Sequence, residues 1–281
     1  MRLVALTVGS EELRADLDRA SDVSIALDFD GPQPNYIGAA AASAAPAHAE
    51  GFVGDTRAGG SCNVYEYRLV THCNGTHTEC VGHVTDERVS VRDAHRPGLV
   101  VALLMSIKPA AANDSGESTV PAPKSGDLLI TAKLLQTALG RWPERAAAAW
   151  VIRTAPNRVD KPERRYRADN PPPYFTRDAA ELAVSRGIEH LVVDLPSLDR
   201  SHDEGRLTAH RTFWGLPPGS RSAREAHRPH ATITELAFVP SSVRDGWYLL
   251  DLQIAPFASD AAPSRPVLYP LLEQRAAAQL S

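Results

Sequence analysis

The stretch that most restricts what this chain can become is HCNGTHTECVGH, residues 72–83, which places three histidines, two cysteines and a glutamate within twelve positions. Solvated surface seldom needs that density, and apolar runs bound it on both sides, so the segment reads first as a metal site. Taken as a continuation of a strand over residues 63–71 (NVYEYRLVT), its residues of equal parity share a face. Cys73, Gly75, His77, Glu79, Val81 and His83 then project together, while His72, Thr76 and Cys80 face away. An imidazole and a carboxylate two apart on one face can grip a divalent ion, because both donor types suit zinc, manganese or iron. Gly75 lets the backbone turn, which gives His72 a second route to the ion despite its parity. The spacing is neither the paired Cys and His of a zinc finger nor a helical HExxH.

Composition removes several alternatives. A formal charge of −4, spread along 281 residues without a basic block, does not suit a phosphate backbone, so nucleic acid is not expected as a partner. No run approaches the eighteen or so apolar residues of a membrane span. The opening MRLVALTV passes at once into Gly-Ser-Glu-Glu, which fits neither a secretory h-region nor an anchor. The odd set Cys62, Cys73 and Cys80 is not a disulfide framework, and points instead to a reducing cytoplasm or to metal ligation.

Periodicity places the remaining elements. Residues 11–21 (EELRADLDRAS), with Leu13, Leu17 and Ala20 at helical spacing, predict a short surface helix. Alternation predicts a strand over 23–29 (VSIALDF), and the continuous apolar run 99–107 (LVVALLMSI) a strand buried on both faces. Residues 146–153, 188–195, 231–238 and 247–254 read as further strands, and 128–139 as helical toward its end. Thr176 as N-cap and Gly187 just past the last turn mark a helix over 176–186. Long Pro- and Gly-rich stretches, 38–60, 108–126, 154–173 and 216–229, read as loops. The expected fold is α/β, a central mixed sheet or barrel-like β core flanked by helices, in one domain over 1–281 with its core at about 23–270.

Residues 73–83 (CNGTHTECVGH) resemble the signature HxGTHxDxPxH of the metal-dependent cyclase superfamily, which includes bacterial kynurenine formamidase and isatin hydrolase. Gly75, Thr76, His77 and His83 keep the spacing, whereas Cys73 stands at the first histidine, Glu79 at the aspartate and Val81 at the proline. Downstream, VDLPSLDR (193–200) resembles the family's D-x-P-S-x-D segment, His210 and Glu235 stand where later ligands are expected, and DAAPSRPVL (260–268) is similar to the family's ending. The resemblance implies a swivelling β/β/α fold, a homodimer, and a hydrolase of amide bonds, formamide or lactam, of arylformamidase type. It also implies one or two ions, Zn or Mn, on His77, Glu79, His210 and Glu235 with either His72 or Cys73, and His83 as general acid and base. Tyr36, in the Pro-rich GPQPNYIG loop, is expected to line the pocket of a small-molecule substrate. The substitutions in the signature keep two rivals in view: a metal-stabilised binding protein without turnover, and a lactone or cyclic imide hydrolase. Ser197 lacks the elbow of a serine hydrolase, and Arg265 is expected to pair within the fold.

Overall fold

The computed structural model describes residues 1–167 and 169–272. Its centre is a closed barrel of seven strands: β3 (His77–Glu79), β4 (Leu99–Ile107), β5 (Ala149–Thr154), β6 (His190–Val193), β7 (Thr232–Glu235), β8 (Gly246–Ile254) and β9 (Ala261–Pro270). The ring runs β8–β4–β5–β6–β7–β3–β9 and closes where β9 pairs β8. Strands β4 to β7 are parallel, and every pairing on the other side of the ring is antiparallel. The α/β expectation with a barrel-like core therefore holds.

Parallel neighbours need crossovers, and helices supply them. The helix α2 (Ala132–Leu139) links β4 to β5, α3 (Arg177–Ser185) links β5 to β6, and α4 (Thr208–Trp214) links β6 to β7; the label α1 is kept for a single turn at Thr71–Asn74 described below. Side-chain oxygens start two of them: Thr131 accepts from the Leu134 N–H at 3.2 Å and Thr176 from Ala179 at 3.1 Å, as Ser or Thr N-caps do. Alternation along the strands then sorts the core. Ala102, Leu104, Ala149, Val151, Val192, Leu250 and Leu268 fill the barrel, whereas Leu103, Met105, Trp150, Ile152, Leu191 and Val193 meet the alanine face of α3 and Phe213 and Trp214 of α4.

Two sequence expectations fail, and one strand carries no signal in the sequence. Residues 11–16 form strand β2 (Glu11–Asp16), not a helix, and pair with β1 (Leu3–Val8) around Gly9 at φ 60°. Leu13 and Ala15, two apart, are the residues that bury against Val101 and Leu249, so tertiary packing selects period two over the helical spacing. The stretch 23–29 is not a strand: only Ser21–Asp22 joins the sheet, beside β9. Strand β9, the longest, was masked by Pro263, Pro266 and Pro270, although the Pro266 carbonyl still accepts from Val23 N–H at 3.0 Å.

Candidate metal centre

Residues 71–84 do not run on as one strand. Thr71–Asn74 is α1, a single helical turn whose Asn74 Oδ1 accepts from Val70 N–H at 2.6 Å while its Nδ2 donates to the Ala40 carbonyl at 3.0 Å. After Gly75 the chain extends into β3, then coils into a 3-10 turn at Val81–Val84. Parity therefore governs only β3. His77 and Glu79 face outward from the barrel, and Thr78 faces inward to Thr234 and Ser264 hydroxyls at 2.7 and 2.8 Å. The helical turn reverses the expected order of its neighbours, bringing His72 to the cluster and leaving Cys73 out of its close groups of ligand atoms. His83 comes from the 3-10 turn, where a Cβ on Gly82 would collide with the Val89 carbonyl oxygen.

Strand pairing and loop capping bring in the rest. The register sets His77 opposite Glu235 on β7 and Glu79 opposite Ala261 on β9. Asp199 accepts from the backbone N–H groups of Ala209 and His210 at 2.8 and 3.0 Å and from His210 Nδ1 at 2.6 Å. His77 Nδ1 likewise donates to the Gly75 carbonyl at 3.0 Å. Each imidazole is thus committed through Nδ1, and its Nε2 lone pair is turned to the centre, the second-sphere arrangement typical of metal-ligating histidine. Glu235 is steadied by the Leu198 N–H at 2.8 Å.

Two backbone strains flank these donors. Leu236 follows Glu235 at φ 52°, and Leu207 precedes α4 at φ 46°, conformations costly for leucine. Thr76 Oγ1 holds the first by donating to the Leu236 carbonyl while accepting from Ile25 N–H, and Asp203 holds the second by accepting from Leu207 N–H.

The inner donors are close without being bonded to one another. His210 Nε2 lies 2.9 Å from Glu79 Oε1 and 3.3 Å from Glu235 Oε1, and His77 Nε2 lies 3.5 Å from Glu235 Oε2. Yet His77 Nε2, His210 Nε2 and both Glu79 oxygens, all buried, make no aligned hydrogen bond. Buried polar atoms are rarely left so. They belong to two groups of closely spaced ligand atoms that share Glu79, His72–His77–Glu79 and Glu79–His83–His210, and the donor set of imidazole and carboxylate fits a divalent ion.

Nearer the surface, His72 Nδ1 lies 3.1 Å from Glu79 Oε2 and its Nε2 donates to Asp260 Oδ2 at 2.9 Å; His83 Nδ1 lies 3.7 Å from Glu79 Oε2 and 3.5 Å from Asp260 Oδ2. Burial opposes charge on Glu79, but the positive fields of His83 and His210 outweigh it and hold the carboxyl well below its ordinary range. Burial also opposes protonation of His72, yet Asp260 and Glu79 push its pKa up to about 10. His210 is raised in the same way by Glu79, Asp199 and Glu235 against its burial. Burial and Glu235 push the Cys73 thiol the other way from a ligand, up to about 11.

This constellation has relatives. The family model described as "Putative cyclase" matches residues 21–200. The chain belongs to the cyclase family. No curated protein matches it. Among solved structures, the chain is similar to isatin hydrolase A from Labrenzia aggregata, at 16 % identity and a TM-score of 0.57 over 89 % of this chain and 93 % of that one. It is similar also to an isatin hydrolase bound to thioisatinate, described as a product analogue, at 16 % identity and a TM-score of 0.59, covering 91 % and 93 %. A third, described as a potential metal-dependent hydrolase with cyclase activity, has 14 % identity and a TM-score of 0.57, covering 90 % and 98 %. At such identities the likeness is one of fold.

In this chain His72, His77, Glu79, His83, His210 and Glu235 are brought together, and Cys73 lies buried beside Glu235 outside the close groups of donor atoms. Tyr36 packs edge-on to Tyr166 at 6.4 Å, with Ile25 and Leu236 alongside, and its hydroxyl stands by Ser197 and Ser201 within the field of Glu235. Two contributors have no ligand or catalytic role in the sequence reading: Asp199, the second aspartate of VDLPSLDR, reads there as part of a polar structural loop bordering the metal site, and Asp260, the first residue of DAAPSRPVL, has no role of its own. Cys80 packs away from the cluster with Val91, Ala94 and Ala262, and Arg265 pairs Asp22 at 2.6 Å.

Proposed function

We propose that this chain is a metal-dependent hydrolase of amide bonds, formamide or lactam, with His72, His77, Glu79, His210 and Glu235 holding one or two divalent ions. The observation that carries the reading is that four buried, unpaired donor atoms, from His77, Glu79 and His210, belong to two groups of closely spaced ligand atoms that share Glu79. All-nitrogen and oxygen donors suit Zn or Mn. When bound, such an ion acidifies a water toward a pKa of about 7 and polarises a carbonyl.

The chain's own residues complete the chemistry. His83 Nδ1, 3.7 Å from Glu79 and part-exposed, is placed to take a proton from the attacking water and deliver it to the leaving nitrogen. Leu236, Ile25 and Tyr166 wall off solvent on the side of Tyr36, whose hydroxyl is set to orient a carbonyl or carboxylate of an aromatic substrate. The same reading has the enzyme acting on a small molecule in the cytoplasm as a homodimer, without nucleic acid or membrane partners; among the described residues no helix is long and apolar enough to cross a membrane.

Metal content of the purified protein decides the first half, and hydrolysis of aryl formamides, lactams, lactones and cyclic imides with and without a chelator decides the second. A folded protein that takes up neither zinc nor manganese would sink the proposal. Metal uptake without turnover across the panel would assign a binding role instead.

A further inference from the structure

The cluster contains one carboxylate to which the preceding reading gives no task. Asp260 is not among the inner donors, yet its Oδ2 lies 2.9 Å from His72 Nε2 and 3.5 Å from His83 Nδ1. Its other oxygen, Oδ1, accepts from the Ser259 hydroxyl at 3.0 Å. Its backbone is clamped as well: the Asp260 carbonyl accepts from Cys80 N–H at 3.0 Å, and the next residue, Ala261, stands in register with Glu79. The ladder that fixes Glu79 therefore fixes Asp260, and the side chain reaches both outer histidines from a rigid base.

We infer that Asp260 is the positioning residue that lets His72, one place out of register with the signature, serve as a metal ligand. The argument is one of tautomer and direction. A carboxylate can only accept, so the proton of a neutral His72 sits on Nε2, toward Asp260. The lone pair is then on Nδ1, and Nδ1 is the atom that faces Glu79 at 3.1 Å. His77 and His210 are held by Nδ1 and present Nε2; His72 is held by Nε2 and presents Nδ1. This opposite polarity accompanies the arrival of His72 from the turn Thr71–Asn74 and not from β3. Among the described residues Asp260 is the one aligned hydrogen-bond partner of the His72 ring, which is 28 % exposed. The same Oδ2 faces His83, so one oxygen aligns the added ligand and the proton carrier together.

The inference rests on the metal-centre reading, and a double-mutant cycle separates the two. Affinity for Zn and for Mn is measured by competition with a chromophoric chelator in the full chain, in D260A, the isosteric D260N, H72A and the H72A/D260A pair, each checked for its fold by circular dichroism and thermal melting. Loss of an orienting partner costs about 10- to 100-fold in affinity, and that loss is expected in D260A, with D260N between it and the parent. The double variant should bind no more weakly than H72A alone, because Asp260 acts through His72. Equal affinities of parent and both Asp260 variants would overturn the inference while leaving the metal centre standing, as would losses that add in the double variant. Loss of one of two bound ions outright in D260A would overturn it too, by making Asp260 a ligand. A parent that binds neither ion refutes the metal-centre reading itself, and the inference with it.

Discussion

At the scale of single residues, the division of labour turns on two histidines six residues or less from β3. His83 is near the donors but bonded to none of them, so His83→Ala should keep its metal and lose about 10²- to 10⁴-fold in kcat, the usual worth of a positioned acid and base; metal content and turnover measured on one preparation check both halves. His72→Ala should instead lose metal, whereas Cys73→Ser, altering a thiol outside the close donor groups, should retain it. His77 and Glu79 were legible from parity because they lie on a true strand. The choice between His72 and Cys73 was not, since it depends on Thr71–Asn74 being helical, and four residues ending at a glycine carry too little periodicity to announce a turn. His210, Glu235 and Tyr36 could be named only through the family resemblance, because nothing local in AHRTFW or TITEL separates a ligand from a core residue.

Elements show where short-range signals were strong enough. The helix with Thr176 as its cap and the buried strand Leu99–Ile107 were plain in the sequence, for each carries its own capping or apolar pattern. Strand Ala261–Pro270 and the hairpin strand Glu11–Asp16 were not, because their identity is conferred by partners distant in sequence. Two element-level expectations follow. In the 3-10 turn, Gly82→Ala would force the Val89 carbonyl aside and displace His83; a loss of about 1–3 kcal/mol in stability is expected, as for overpacked sites, read as a lower denaturation midpoint. Inside the barrel, His190 on β6 is 3 % exposed, bonded through Nδ1 to the Thr232 hydroxyl and set 5.4 Å from the His95 ring. Burial, with the His95 charge as a lesser cause, lowers its pKa to about 4. The unfolded chain therefore takes up this proton near pH 6.5 and the folded one only near 4. Stability from this site is complete above 6.5 and is lost as pH falls toward 4, by roughly 1.4 kcal/mol per unit of separation. Thermal melts of the parent between pH 7 and 4, against His190→Asn, should show the difference shrinking with acid.

For the molecule as a whole, charge at the centre couples metal to protons. In the metal-free chain His72 has its pKa raised to about 10 by Asp260 and Glu79. Its stabilising share is fully present below about 6.5, the unfolded value, and falls away as pH rises through 10. An ion must displace that proton, so metal affinity should climb with pH over the same interval, with protons released on binding. Calorimetric titration with zinc in two buffers of different ionisation enthalpy measures the release, and no buffer dependence would contradict it. Saturation with the ion should also raise the melting temperature, by an amount set by its free concentration relative to Kd.

The three-residue strand β3 has neighbours that both come later in the chain, β7 at Thr232–Glu235 and β9 at Ala261–Pro270. A growing polypeptide leaving the ribosome therefore exposes His72, His77, Glu79 and His83 long before it can shelter them. The centre therefore forms only after Ala261–Pro270 has been made. Loading must follow completion of the barrel, and a stalled chain lacking the final two strands should purify empty.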